Sequence, residues 1–202
     1  MILHSKPFFT EDDRMALSSV LDKAFVTNGE IAKELGLEIS RVMRKKWGVV
    51  VQSGTDALIL SLKALNLKRY AKIAIPAYSC GAILDAVEFL GMTPEPVDIS
   101  KDHLGVSPEI VSGTKYEAVI AAHLFGIAAP FFKIEHDKLI EDCAQCLGIS
   151  NAGRRVGSMG RLSVSSLYGT KILSTGHGGV ICGNDMASFK RTMDTLTHDK
   201  VD

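Results

Sequence analysis

Cysteine is scarce: Cys80, Cys143, Cys146 and Cys182 are the only four in 202 residues. They are too few and too scattered for the disulfide framework of a small secreted domain. An excess of charge of one sign is lacking as well. Lys plus Arg and Asp plus Glu stand at 23 each, so no electrostatic case exists for nucleic acid or an anionic membrane as partner. Long hydrophobic runs are missing: the most apolar stretch, from Ala118 to Phe132, is broken by His123, Gly126 and Pro130 and is too short to span a bilayer. The start, MILHSKPFFT, has neither the basic residues nor the apolar run of a signal peptide, and a cytoplasmic protein is expected. Internal repeats, low-complexity segments and linkers rich in Pro, Gly or Ser are also absent. Cys143 and Cys146 form a C-x-x-C, but no second C-x-x-C or H-x-x-x-H accompanies it to complete four metal ligands. A reduced, buried pair is expected there, the alternative being a redox or metal protein that uses the two thiols.

What is present is the mix of an ordinary globular domain, 46% hydrophobic and 23% charged, long enough for one well-buried core. Glu11 to Phe25 reads as an amphipathic helix with Met15, Leu17, Val20, Leu21 and Phe25 on its apolar face. A second helix is expected from Thr27-Asn28 to about Lys46, with Gly36 a weak point inside it. Short apolar strands then alternate with helices. Gly48 to Gln52, Lys72 to Pro76, Thr93 to Asp98, Glu117 to Ala122, Lys138 to Glu141, Leu162 to Ser166 and Gly179 to Cys182 read as strands. Asp56 to Leu65 (capped by Ser53), Gly81 to Leu90, a short turn from Ser107-Pro108 and a segment from Asp185 read as helices. This alternation predicts an α/β domain: three layers, a mainly parallel sheet with helices on both faces.

Ligands of such sheets bind beyond the carboxyl ends of the strands. The loop Gln52-Ser53-Gly54-Thr55-Asp56 opens a helix; Gly54 lets the backbone approach closely, and the hydroxyls and free N–H groups suit a phosphate. Glu141 and Asp142 are adjacent acids ending a strand, costly to desolvate unless a cation meets one of them. That cation is either a protonated heterocyclic nitrogen or an arginine of the Gly153-Arg154-Arg155 loop. Ser165 to Lys171, followed by Ser174 to Gly179, has glycines and a lysine but not the order of a nucleoside-triphosphate loop. A partly desolvated lysine in such a loop is a competent nucleophile. His123 ends another strand, and taken singly it reads as a core or cap residue.

In chain order the segments Ser53-Gly54-Thr55-x-Ala57-Leu58, Pro76-Ala77-Tyr78-Ser79, His123-Leu124-Phe125-Gly126, Glu141-Asp142-x-Ala144-Gln145 and Ser166-x-x-x-Thr170-Lys171 resemble the nucleotide-sugar aminotransferases of the DegT/StrS type. The resemblance covers almost the whole chain and implies the large domain of the fold-type-I pyridoxal 5'-phosphate (PLP) transferases. It implies that Lys171 holds PLP as a Schiff base and moves the proton of the transamination. Gly54, Thr55 and Ser166 would bind the cofactor phosphate, Asp142 the pyridine nitrogen, and Gln145 the neighbourhood of the ring hydroxyl, with His123 close to the ring. The implied reaction moves an amino group from an amino acid, by family habit L-glutamate, to a nucleotide-linked keto-sugar, in a homodimer. Related dehydratases carry His where Lys171 stands, so the lysine points to transamination.

The chain departs from that pattern in three places. Cys80 occupies the position of the ring-stacking aromatic, with Tyr78 a possible substitute; a different PLP reaction, such as elimination, is a further option there. The segment from Ala129 to Ile140 is short for a helix plus a strand, although about 10–12 residues suffice to cross between parallel strands. The sequence ends at Asp202, soon after Lys171. It therefore reads as one PLP-binding large domain over 1-202, N-terminal helices 1-46 included, without the usual C-terminal small domain. The alternative function is a PLP-binding but catalytically incomplete homologue, or a subunit that needs a partner chain.

Overall fold

The computed structural model describes residues 7–22, 29–112 and 115–198. In chain order the elements are α1 (Glu11–Asp22), α2 (Glu30–Val42), β1 (Trp47–Val51), α3 (Gly54–Ala64), β2 (Lys72–Pro76), α4 (Gly81–Phe89) and β3 (Thr93–Val97). There follow α5 (Pro108–Val111), β4 (Ala118–Ala122), one 3-10 turn (Phe131–Lys133), β5 (Leu139–Asp142), β6 (Ser150–Asn151), β7 (Arg154–Arg155), β8 (Leu162–Ser166), β9 (Gly179–Gly183) and α6 (Met186–His198). Every main strand expected from the sequence is present within a residue or so of its expected bounds. Residues 23–28, where the first helix was expected to end and the second to begin, lie outside the described residues.

Seven strands form one sheet in the order β1-β9-β8-β5-β4-β2-β3. β3, β2, β4, β5 and β8 pair in parallel, and β9 runs against both of its neighbours. The strands are apolar on both sides because both faces are covered. Ile73, Ile75, Ile120, Ile140, Val164 and Ile181 pack beneath α3 and α4. Residues of the opposite pleat enter two smaller clusters, one around Phe131 and one in which Ile39 and Met43 meet Val180 and Cys182.

Two local features fix how the layers meet. Gly36, which reads as a weak point of α2, is buried against Gly48 of β1: a Cβ on Gly48 would lie 2.1 Å from the Gly36 carbonyl oxygen. The pair of glycines lets the helix backbone rest on the strand. Between β4 and β5 there is no crossover helix, only the 3-10 turn, and Phe131 fills the space with a fully buried ring. Burial of a side chain of that size contributes about 1.5–3 kcal/mol. A Cβ on Gly105 would sit 2.8 Å from the Phe131 ring, so the loop above it closes only over glycine.

Elsewhere the sequence expectation needs correction. α1 is helical, but Met15, Leu17 and Leu21 are exposed and the helix buries no residue. The pair β6 and β7 forms a two-residue hairpin that the strand pattern does not announce. Among the described residues no helix is long and apolar enough to cross a membrane.

Candidate active site

The carboxyl ends of β1, β4, β5 and β8 and the amino end of the reversed β9 meet on one side of the sheet. Val51 and Ser166 are both paired with Gly179, and Ala122 with Asp142. A cavity of about 320 Å³ lies there. It gathers residues far apart in the chain: Gly54 and Thr55 from the start of α3, Cys80 from the start of α4, and His123 after β4. Asp142, Gln145, Ser166 and Lys171 complete the wall. All eight residues expected at a cofactor site therefore line one cavity. Tyr78 does not line it: the ring is exposed and lies beside Phe125, with centroids 6.3 Å apart.

Each side chain is held by local chemistry. Ser53 caps α3: its Oγ accepts the Asp56 N–H at 3.0 Å and donates to the Asp56 carboxylate at 2.7 Å. Its hydroxyl is thereby committed, while the N–H groups of Gly54 and Thr55 remain at the helix start, where an anion is favoured. A Cβ on Gly54 would come within 2.8 Å of the Ser166 Cβ, so these two loops touch only because residue 54 has no side chain. Ser166 Oγ accepts the Tyr168 N–H at 3.3 Å and keeps its own proton free to donate. Gln145 Oε1 accepts the Phe125 N–H at 2.9 Å, which leaves its amide NH2 as the donor end.

Asp142 Oδ1 accepts one bond, from the Ala144 N–H at 2.9 Å. Burial pushes its carboxyl above the usual range, against the pull of that N–H and of the Lys171 charge. Glu141, its neighbour, points to the other face and is treated differently. Its oxygens accept the N–H groups of Gly157 (2.7 Å), Met159 (2.8 Å) and Gly160 (2.7 Å), and Oε1 lies 3.0 Å from His123 Nε2. Burial alone would raise its pKa, but the His123 ring and these N–H groups hold it below the usual carboxylate range. The arginine partner that the sequence suggested is not found. Arg155 donates to the Gly148 carbonyl, and the Arg154 guanidinium lies 5.1 Å over the Phe132 ring.

His123 Nδ1 accepts the Ala129 N–H at 3.0 Å, so Nδ1 is unprotonated and Nε2 carries the proton towards Glu141. Both ring nitrogens are committed, and the ring stacks on Phe131 with centroids 4.4 Å apart. His123 is thus a hydrogen-bonded wall of the cavity. Cys143 and Cys146 are buried free thiols; each donates to a carbonyl, of Glu141 and Ile127, and burial pushes Cys146 up to about 11. The structural role of Glu141 is not legible in the sequence, because its amide partners come from a loop 16 to 19 positions away. His177, which no motif singles out, also lines the cavity from the glycine-rich turn.

A mostly parallel α/β sheet with this cavity at its strand ends has the fold of the PLP-dependent fold-type-I transferases. An aminotransferase from Psychrobacter cryohalolentis superposes with a TM-score of 0.87 at 26% identity, over 95% of this chain and 52% of that one. DesI, solved in the presence of its TDP-sugar product, has the same fold, with a TM-score of 0.84 at 24% identity over 95% of this chain and 52% of that one. The chain belongs to the DegT/DnrJ/EryC1/StrS aminotransferase family, whose sequence profile matches residues 7–199. GDP-perosamine synthase of Vibrio cholerae is 29% identical over 194 residues, 91% of this chain and 53% of that protein. UDP-N-acetyl-3-dehydro-alpha-D-glucosamine 3-aminotransferase of Acidithiobacillus ferrooxidans is 32% identical over 192 residues, 89% of this chain and 51% of that protein. The chain thus spans about half the length of the curated relatives it matches. A sugar aminotransferase of Streptococcus pneumoniae with the same fold, at a TM-score of 0.85 and 22% identity over 95% of this chain and 57% of that one, has been solved in its PLP form.

Proposed function

We propose that this chain forms the cofactor-binding part of a cytoplasmic PLP-dependent aminotransferase. It would move an amino group from an amino acid, L-glutamate being the expected donor, to a nucleotide-linked keto-sugar, and would work as a homodimer. The observation that carries this reading is the single cavity shared by Lys171, Asp142, Gln145, Ser166 and the Gly54-Thr55 turn.

These residues fit PLP on physical grounds. The start of α3 offers two N–H groups and Ser166 a free hydroxyl proton, neutral donors suited to a phosphate. Asp142 Oδ2 has no hydrogen bond among the described residues, so the carboxylate can accept a bond from a protonated ring nitrogen. Such a partner would offset the burial that now raises its pKa. The amide NH2 of Gln145 can donate to a ring oxygen.

When bound, PLP supplies an electron sink for the α-carbon of the amino acid. The Lys171 amine would hold the cofactor and would serve as the base that moves the proton of the amino-acid α-carbon. Asp142 would keep the ring nitrogen protonated, and His123, hydrogen-bonded to Glu141 and Ala129, would form a fixed wall beside the ring. Reduction with borohydride followed by peptide mass analysis tests the reading. The expected result is a pyridoxyl mass on Lys171; cofactor-loaded protein with Lys171 unlabelled overturns it.

A further inference from the structure

We propose that His177 is a phosphate-recognising side chain of this cavity, adding a cationic donor to a cradle otherwise made of neutral groups. The inference rests on the PLP reading above and extends it to a residue outside the motifs. Three side chains lining the cavity can carry positive charge: His123, Lys171 and His177. His123 has both nitrogens committed, to Ala129 and Glu141. Lys171 is committed to anchoring the cofactor. His177 is exposed, its ring nitrogens form no hydrogen bond among the described residues, and its ring stands edge-on to Tyr168 with centroids 6.2 Å apart.

The backbone brings the turn that carries His177 against the Ser53-Gly54 loop. A Cβ on Gly179 would lie 2.2 Å from the Ser53 carbonyl oxygen, so the turn that ends at Gly178-Gly179 rests directly on the Ser53-Gly54 loop. His177 stands between Gly176 (φ 82°) and Gly178 (φ 142°), conformations that residues with a side chain rarely adopt. The turn is tied on both sides of it. Thr175 Oγ1 donates to the His177 carbonyl at 2.7 Å, the Leu167 N–H to Gly178 at 2.8 Å, and the Gly169 N–H to Gly176 at 3.1 Å. A phosphate monoester at Gly54, Thr55 and Ser166 brings up to two negative charges to neutral donors, and a nearby imidazolium would complement it.

The test compares PLP with pyridoxal, which has the same ring and aldehyde but no phosphate. Dissociation constants of both are measured by absorbance for the wild-type chain and for His177→Phe, which keeps a ring against Tyr168 but has no donor. The expected result is PLP weakened about tenfold with pyridoxal unchanged. Equal weakening of both, or of neither, overturns the proposal. So does an unchanged PLP affinity with a raised KM for amino acid or nucleotide sugar, which would assign His177 to a substrate. If the wild-type chain takes up neither compound, the cofactor reading itself has failed. Inorganic phosphate then decides: movement of the His177 ring resonances on titration supports phosphate recognition, and unmoved resonances overturn it.

Discussion

Glu141 and Asp142 are successive residues of one strand, and the fold uses them in opposite ways. Glu141 turns away from the cavity into a nest of three backbone N–H groups and the His123 ring, where its charge is fully met. Asp142 turns into the cavity, where Oδ1 takes a single N–H from Ala144. Desolvation is therefore overcome in Glu141, which is fully buried, and left uncompensated in Asp142, half-buried at the cavity wall, whose pKa is raised. A saturated buried charge holds structure together, whereas an under-satisfied one has capacity left for a ligand.

Substitutions at the two positions should separate these roles. The largest effect is expected for Asp142→Asn on amino transfer, a loss of about 10²–10⁴-fold measured as single-turnover conversion by glutamate. A rate within about tenfold of wild type would place Asp142 outside the chemistry. Glu141→Ala leaves His123 and three N–H groups without their acceptor and should lower unfolding free energy by about 3–5 kcal/mol in urea titrations. A loss below about 1 kcal/mol would remove the distinction drawn between the two acids. Gly54→Ala tests whether the cavity side tolerates any added bulk. Its Cβ would press on Ser166, costing about 1–3 kcal/mol and weakening PLP uptake in the same variant.

The smallest effect lies in the pH dependence of stability, and its sign differs between the neighbours. Glu141 has a lowered folded pKa, so it contributes stability above its unfolded pKa that is lost as pH falls through the folded value. Asp142 has a raised folded pKa, so its ionisation removes stability as pH rises from the unfolded value through the folded one. In the cofactor-free chain, Asp142→Asn should thus be more stable than wild type near neutral pH, with the advantage vanishing in acid. Glu141→Gln should be less stable near neutral pH, with a deficit that shrinks in acid. Urea midpoints at several pH values give both curves, and parallel curves would contradict the comparison.

The sheet was legible because parallel strands buried on both faces read as short apolar runs; Lys72–Pro76 and Leu162–Ser166 have the bounds their composition suggests. Lys171, Asp142 and the Gly54-Thr55 turn were legible as candidates because strand ends concentrate polar residues that packing does not need. What stayed hidden depends on contacts distant in sequence. Gly36 looks like a flaw in a helix until Gly48 is seen against it. The acceptor role of Glu141 needs the 157–160 loop, and the hairpin at 150–155 is too short for a strand period to show. The apolar positions of α1 predict a helix but not what covers them, since amphipathicity gives a face and not a partner.

The contact between Gly179 and the Ser53 carbonyl has a consequence for anyone who redesigns this scaffold. It keys the α3 turn to the entry of β9 as two parts of one fitting, with clearance for a hydrogen atom and nothing larger. A segment grafted at 52–56 from another protein will seat only if its counterpart at 176–179 is grafted with it. Cofactor affinity in such chimeras should therefore be inherited by the pair and not by either loop alone.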